Sequence, residues 1–179
     1  MLVGILTIMK ELKVRNAIIS KQIQDSQNYK EFLKIVKEKR INLVNIGASN
    51  GKLHKLQIEK DFYFDILWPN NEKLILENGL NNNSFVCKLN YRGFSMLFTG
   101  DIEEIAEKQI LQEYKENLKI LKSTILKVAH HGSKTSSTKE FIQAVYPQIA
   151  LIGVGKDNKF GHPNDEVILR LQSIRYRDL

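Results

Sequence analysis

Three apolar runs in this chain each stop on a residue able to bind a metal ion or move a proton. Leu126-Lys-Val-Ala-His-His-Gly-Ser133 runs a strand into two histidines and a glycine turn, and Met96-Leu-Phe-Thr-Gly-Asp101 runs one into a carboxylate. Ile149-Ala-Leu-Ile-Gly-Val154 leads within a few residues to Gly161-His162-Pro163. A chain that places three such residues just past the carboxyl ends of three strands is constrained to a sheet-based fold. Packing alone does not ask for that pattern; a metal-dependent hydrolase does.

Size and composition leave room for such a fold. The 179 residues, 42% hydrophobic, predict one globular domain over 1–179. With 26% charged residues and three prolines, disorder is not expected. The longest apolar run falls far short of the roughly 20 residues that cross a bilayer. Met1 to Met9 meets Lys10-Glu11 at once and reads as a helix, not a signal peptide. The residues therefore predict a soluble chain without a membrane span. The single Cys87 excludes an intrachain disulfide and a thiolate zinc site; it reads as a small hydrophobe in a strand and fits a reducing compartment, the cytoplasm. The net charge of +7 suits a polyanionic partner, although scattered lysines also make an ordinary solvated surface. One stretch is sharper: Lys115, Lys119, Lys122, Lys127, Lys134 and Lys139 bracket the histidine pair, with Glu116 the one acid between them, and mark a candidate phosphate-attracting face.

Periodicity predicts a helix over 3–12, a strand over 14–20, a helix over 28–39 capped by Ser26, and a strand over 41–46 before a turn at 47–51. Alternating strands follow at 53–58 and 62–67, then a break at Trp68-Pro69-Asn70-Asn71. A hairpin joins 84–90 to 94–99 about Tyr91-Arg-Gly93, and a helix over 102–114 carries Glu103 and Glu104 in its first turn, where they suit the helix dipole. Then come strand 124–129, helix 137–145, strand 149–154 and helix 164–172. Antiparallel strands first and strand–helix alternation later predict sheets packed against outer helices.

Each candidate has an ordinary explanation beside the functional one. Asp101, at a strand end, would serve as a helix N-cap if it stood alone. On a continuing strand His130 and His131 would face opposite sides, one toward a metal and the other toward substrate. Gly132 lets the backbone turn beneath a ligand, and Ser133 offers a hydroxyl and an N–H to a phosphate oxygen. Pro163 at a first helical position would hold His162 at the mouth of a rigid turn. His54 has no such setting and reads as a surface residue. Neutral imidazole and carboxylate are the usual hydrolytic ligands of zinc, and manganese accepts them too.

Phe98-Thr-Gly-Asp101, Leu126-Lys-Val-Ala-His-His-Gly-Ser-Lys-Thr-Ser-Ser137 and Val154-Gly-Lys-Asp-Asn-Lys-Phe-Gly-His-Pro163 together resemble the metallo-β-lactamase-like domain of the ComEC competence (DNA-internalisation) family. Asn81-Asn82-Asn83-Ser84 and Tyr176-Arg-Asp-Leu179 are similar to the same pattern, so the resemblance covers nearly the whole chain. It implies an α/β fold, an αββα sandwich of mixed sheets and outer helices with a metal site at one edge. It further implies a nuclease acting on DNA beside a membrane channel carried on another or longer chain, in membrane-associated relatives. Asp101, His130 and His162 are then the expected ligands of one or two zinc or manganese ions. His131 and Ser133 are expected to be catalytic, with the ligand and proton-donor roles of His130 and His131 interchangeable. Lys134, Asn82 and Ser84 are expected to touch substrate.

One part of that family pattern, a His-x-His-x-Asp-His cluster near the start of the domain, is missing: the chain has four histidines and none precedes His54. Residues 2–8 resemble the segment directly after that cluster, and Leu179 stops short of the family's last strand. The expectation is a partial domain with an incomplete metal site: a truncated product, a degenerate copy or a cut piece. Three functions compete: a phosphodiesterase of the DNA-uptake type, a catalytically silent module that binds DNA or a partner through its basic face, and a metallohydrolase of small esters or lactones.

Overall fold

In a computed structural model, residues 2–49 and 51–175 are described, and the closing Tyr176-Arg-Asp-Leu179 lies outside them. The backbone forms two compact units, Met1–Ile46 and Gly47–Leu179.

The first unit is α1 (Leu2–Glu11), β1 (Asn16–Ile19), α2 (Gln27–Glu38) and β2 (Asn42–Asn45), with β1 and β2 paired in parallel. Ser26 caps α2 as expected, its side chain accepting the Tyr29 N–H at 3.2 Å. Phe32 and Ile35 on α2 bury against Leu6 and Met9 of α1 and Ile41, a small core of their own.

The second unit carries a six-stranded mixed sheet in the order β3 (His54–Glu59), β4 (Phe62–Trp68), β5 (Val86–Tyr91), β6 (Phe94–Phe98), β7 (Ile125–Lys127), β8 (Ile149–Leu151). The first four strands are antiparallel neighbours; β6, β7 and β8 run parallel. The α/β class with mixed sheets and helices expected from the sequence is therefore what the chain adopts. The β5–β6 hairpin turns on Arg92 (φ 47°) and Gly93 (φ 84°), the two positive-φ positions that a tight hairpin requires. Helices α3 (Gly79–Asn82), α4 (Glu104–Glu113), α5 (Lys139–Val145) and α6 (Asp165–Arg175) complete the unit. Ile102, Ala106 and Ile110, one helical turn apart, are wholly buried with Leu67, Val86, Leu97, Leu126, Phe141 and Val167 in a single core. Each large apolar side chain so buried contributes about 1.5–3 kcal/mol. Cys87 is half-buried in β5, and burial pushes its thiol up to about 11, consistent with an inert small hydrophobe. His54 is exposed on β3, as expected. No helix among the described residues is long and apolar enough to cross a membrane.

Four of the differences from the sequence expectation bear on the site. Strand β7 stops at Lys127, so His130 and His131 do not alternate on a strand; both sit in a tight turn. Strand β8 stops at Leu151, which frees the Gly153 carbonyl. Helix α4 begins at Glu104 with Glu103 as its N-cap, so Asp101 lies outside the helix and caps nothing. Pro163 is not the first residue of α6. The helix starts at Asp165, because the Asn164 side chain takes the Glu166 N–H at 3.0 Å while the Asn164 N–H is bonded to the Gly132 carbonyl at 2.9 Å.

A buried carboxylate braces the segment just after the histidines. Glu107 of α4 is wholly buried and accepts the N–H groups of Ser137 at 2.5 Å and Thr138 at 2.7 Å. Burial raises its pKa, while those two amides and the nearby Arg170 work in the opposite direction. Glu107→Gln sets an NH2 group against one of these N–H donors and should cost about 1–3 kcal/mol. Urea unfolding followed by the fluorescence of Trp68, the chain's single tryptophan, buried in this unit, measures it.

Candidate metal and nucleic-acid site

Because β6, β7 and β8 are parallel, their carboxyl ends open on one side of the sheet, the place where α/β sheets collect ligand-binding residues. Asp101 leaves β6 there, His130 and His131 leave β7, and the loop after β8 returns with His162. The turn carrying the histidines is unusual backbone. His130 (φ 47°), His131 (φ 56°) and Gly132 (φ 81°) are consecutive left-handed residues, and only the glycine adopts that region without strain. Gly132 also cannot carry a side chain: a Cβ on it would stand 2.7 Å from the Pro163 Cβ. That close approach seats the His162–Pro163 loop against the histidine turn.

The side chains converge. His131 Nε2 stands 3.6 Å from Asp101 Oδ1, and its Nδ1 lies 2.5 Å from the Gly153 carbonyl oxygen. A carbonyl can only accept, so Nδ1 carries the hydrogen and Nε2 is the ring nitrogen that faces the carboxylate. A cation or a proton shared between Nε2 and the carboxylate would fill the gap. The His130 and His162 rings lie 6.0 Å apart, edge to face, and Phe160 stacks on His162 at 5.8 Å. The Nδ1 atoms of both His130 and His162 are buried without a hydrogen-bond partner. Desolvation first, then the neighbouring His130 and His131, hold the His162 imidazole below its ordinary pKa, which keeps it neutral. Imidazole nitrogens and a carboxylate form a donor set suited to a borderline divalent ion such as zinc. Among the described residues, however, no three His, Cys, Asp or Glu side chains stand together as a cluster able to hold an ion.

One residue of the site, Glu103, has in the sequence only the reading of a dipole partner for its helix. Its carboxylate stands 3.4 Å from His130 Nδ1, within ion-pair reach though not aligned as a hydrogen bond. Three neighbours hold it: Oε1 accepts the Thr135 hydroxyl at 3.2 Å, and Oε2 accepts the amides of Asn78 at 2.7 Å and Asn82 at 3.5 Å. Oε1 keeps an acceptor site spare for His130. The sequence signal that could have found it is its position two residues beyond Asp101, at a strand end already marked by a carboxylate.

The other expected residues surround this turn in supporting positions. Asn82 is wholly buried; its Oδ1 accepts the Glu103 N–H at 3.0 Å and its carbonyl accepts Trp68 Nε1–H at 2.6 Å. Ser84 packs under Gly100, where a Cβ would come within 2.6 Å of its own Cβ. The Ser133 N–H closes the turn on the His130 carbonyl at 2.9 Å, and its hydroxyl pairs with Thr135 at 3.0 Å. Lys134 is exposed beside the turn. Lys127 points its ammonium at the Val128 carbonyl at 2.8 Å; burial lowers its pKa and Asp101 opposes that. The bracketing lysines do not share one face: Lys115, Lys119 and Lys122 precede β7, at the end of the strand away from the histidines.

If Glu103 orients His130, Glu103→Ala should change the imidazole. The His130 ring-nitrogen resonances of the labelled protein, followed by NMR, are expected to shift. The His131 pattern, set by the Gly153 carbonyl, should stay as it is.

No family model matches the chain. Curated relatives do. ComE operon protein 3 of Bacillus subtilis is 31% identical over 165 residues, 92% of this chain and 20% of that protein. Competence protein ComA of Neisseria gonorrhoeae is 34% identical over 110 residues, 62% of the chain and 15% of that protein. Recombination protein 2 of Haemophilus influenzae is 34% identical over 115 residues, 64% of the chain and 13% of that protein. The chain thus spans a fifth or less of the length of these relatives.

Proposed function

Over the length that matches, this chain belongs to the ComEC family of competence proteins, and on that premise we propose that it is a metal-dependent phosphodiesterase acting on DNA in DNA uptake. The observation that carries the proposal is the approach of Asp101 Oδ1 and His131 Nε2, 3.6 Å apart at the carboxyl ends of parallel strands, beside two imidazoles whose Nδ1 atoms are buried without a hydrogen bond.

Asp101 and His131 would hold a zinc or manganese ion, the choice between the two adjacent histidines falling to His131 because it faces the carboxylate. Such an ion, when bound, supplies Lewis-acid polarisation of a phosphoryl oxygen and acidifies a water. The chain's own residues do the rest. His130, with Glu103 behind its Nδ1, is the ring left to pass a proton to the leaving oxygen. The Gly153 carbonyl fixes the His131 tautomer. Lys127 and Lys134 place positive charge where a phosphodiester would approach. Ser133 keeps its hydroxyl at the base of the turn, and Asn82 and Ser84 hold Glu103 and Gly100 in place beneath the site.

A second reading, a binding module without catalysis, is favoured by the lack of a three-ligand cluster among the described residues. Metal content separates the two. The protein equilibrated with zinc or manganese should retain an ion, and Asp101→Ala should weaken that binding at least about tenfold and abolish cleavage of linear DNA. A parent chain that retains no ion overturns the hydrolase reading and leaves the binding module, whose DNA affinity should fall steeply with added salt.

A further inference from the structure

The loop from β8 to α6 carries a feature that neither ion binding nor proton transfer uses. Phe160 is 81% exposed, yet it is held firmly. The Asn158 side chain accepts the N–H groups of Phe160 at 3.2 Å and His162 at 3.0 Å, and donates to the carbonyls of His162 at 2.7 Å and Gly155 at 3.2 Å. Gly161, at φ 66°, makes the turn between the two rings. The Phe160 ring lies nearly parallel to His162, with 20° between planes and 5.8 Å between centroids. His162 in turn stands 6.0 Å from His130.

Phe160 is thus a neighbour of His162, and His162 a neighbour of His130. One face of Phe160 rests on His162. We propose that the outer face is a stacking platform for a nucleobase, making a single-stranded polynucleotide the substrate this site selects. The proposal rests on the DNA reading above and names the form of nucleic acid.

Three points of chemistry argue for it. An aromatic side chain has few rotatable bonds and here stands on a hydrogen-bonded backbone, so it loses little conformational entropy on stacking, and every base offers a flat face to it. The neighbours of Phe160 are charged and exposed: Lys156 and Lys159 flank it with Asp157 the one acid, a setting that suits a sugar–phosphate backbone and would repel an apolar peptide. And a base in a duplex has both faces already stacked, so a duplex reaches this ring only by unstacking. A base seated on Phe160 would sit beside His162, one of the residues of the site.

The test uses the whole chain in the presence of chelator, so that binding is read without cleavage. The probes are labelled oligothymidylate, the same backbone with abasic positions, and a duplex of equal length. Phe160→Ala is expected to weaken oligothymidylate binding about 5- to 150-fold. Binding of the abasic strand and the duplex should be unchanged. Phe160→Trp should keep the affinity and Phe160→Leu should not, because stacking needs an aromatic face. The ring is exposed, so these variants should leave the urea unfolding midpoint where it is. If Phe160→Ala binds oligothymidylate as tightly as the parent, the platform is overturned while salt-dependent DNA binding still stands. If the duplex loses as much affinity as the single strand, the selection for single strands is overturned. If the parent binds none of the three probes even at low salt, the DNA reading falls and the platform with it.

Discussion

The site depends on one piece of strained backbone, the left-handed run His130-His131-Gly132. Holding two side-chain-bearing residues there costs about 1–2 kcal/mol each. The run persists because the ends of three strands grip it. The His130 N–H is bonded to the Gly100 carbonyl after β6 at 3.0 Å, and the Ser133 N–H to the His130 carbonyl at 2.9 Å. The Gly132 carbonyl accepts Asn164 N–H at 2.9 Å, and His131 Nδ1 meets the Gly153 carbonyl after β8 at 2.5 Å. At about 0.5–1.5 kcal/mol net for each bond, the grip and the strain are of similar size. An extended strand through these residues would avoid the strain but would send the two imidazoles to opposite faces.

Helix α4 supplies the second level of support, through its acids. Glu103 at its start ties together Asn78, Asn82 and Thr135 beside His130. One turn on, Glu107 takes two backbone amides of the segment just after the histidines. At the far end, Glu113 accepts the Gly51 N–H at 2.8 Å and the Asn70 amide at 3.0 Å. The apolar face of the same helix, with Ala106 and Ile110, is locked into the core. A rigid element fixed on one side thus positions three loops on the other, so the loops of the site inherit the order of the helix.

Much of this was legible in the sequence, and the misses share a cause. Periodicity and turn chemistry are local, so the Arg92-Gly93 hairpin, the Ser26 cap and the three strands ending on Asp101, His130 and His162 could be read directly. The expectation for Pro163 failed because Gly132, thirty-one residues earlier in the chain, captures the Asn164 N–H and moves the start of α6. The alternation expected of His130 and His131 failed because nothing local marks a left-handed histidine; tertiary hydrogen bonds impose it. Glu103 was explained too easily: an acid in a first helical turn has a sufficient local reason, which hid its contact with a histidine twenty-seven residues away. The lysines before β7 were grouped with Lys127 and Lys134 by sequence proximity, while a strand of only three residues puts them at its opposite end.

The two readings of the site divide on what the Asp101 carboxylate is for. A scaffold that only binds a polyanion gains nothing from a carboxylate at the mouth of its site. That carboxylate repels phosphate, so a lysine or an amide in its place would serve better. The strained turn compounds the cost, since its effect is to aim both imidazoles to one side of the sheet. Asp101 is also spared the capping work that would explain it structurally, because Glu103 occupies that position. A carboxylate that opposes the charge of the ligand it would otherwise bind is accounted for when a cation sits beside it, and on that ground we propose ion binding ahead of the silent module.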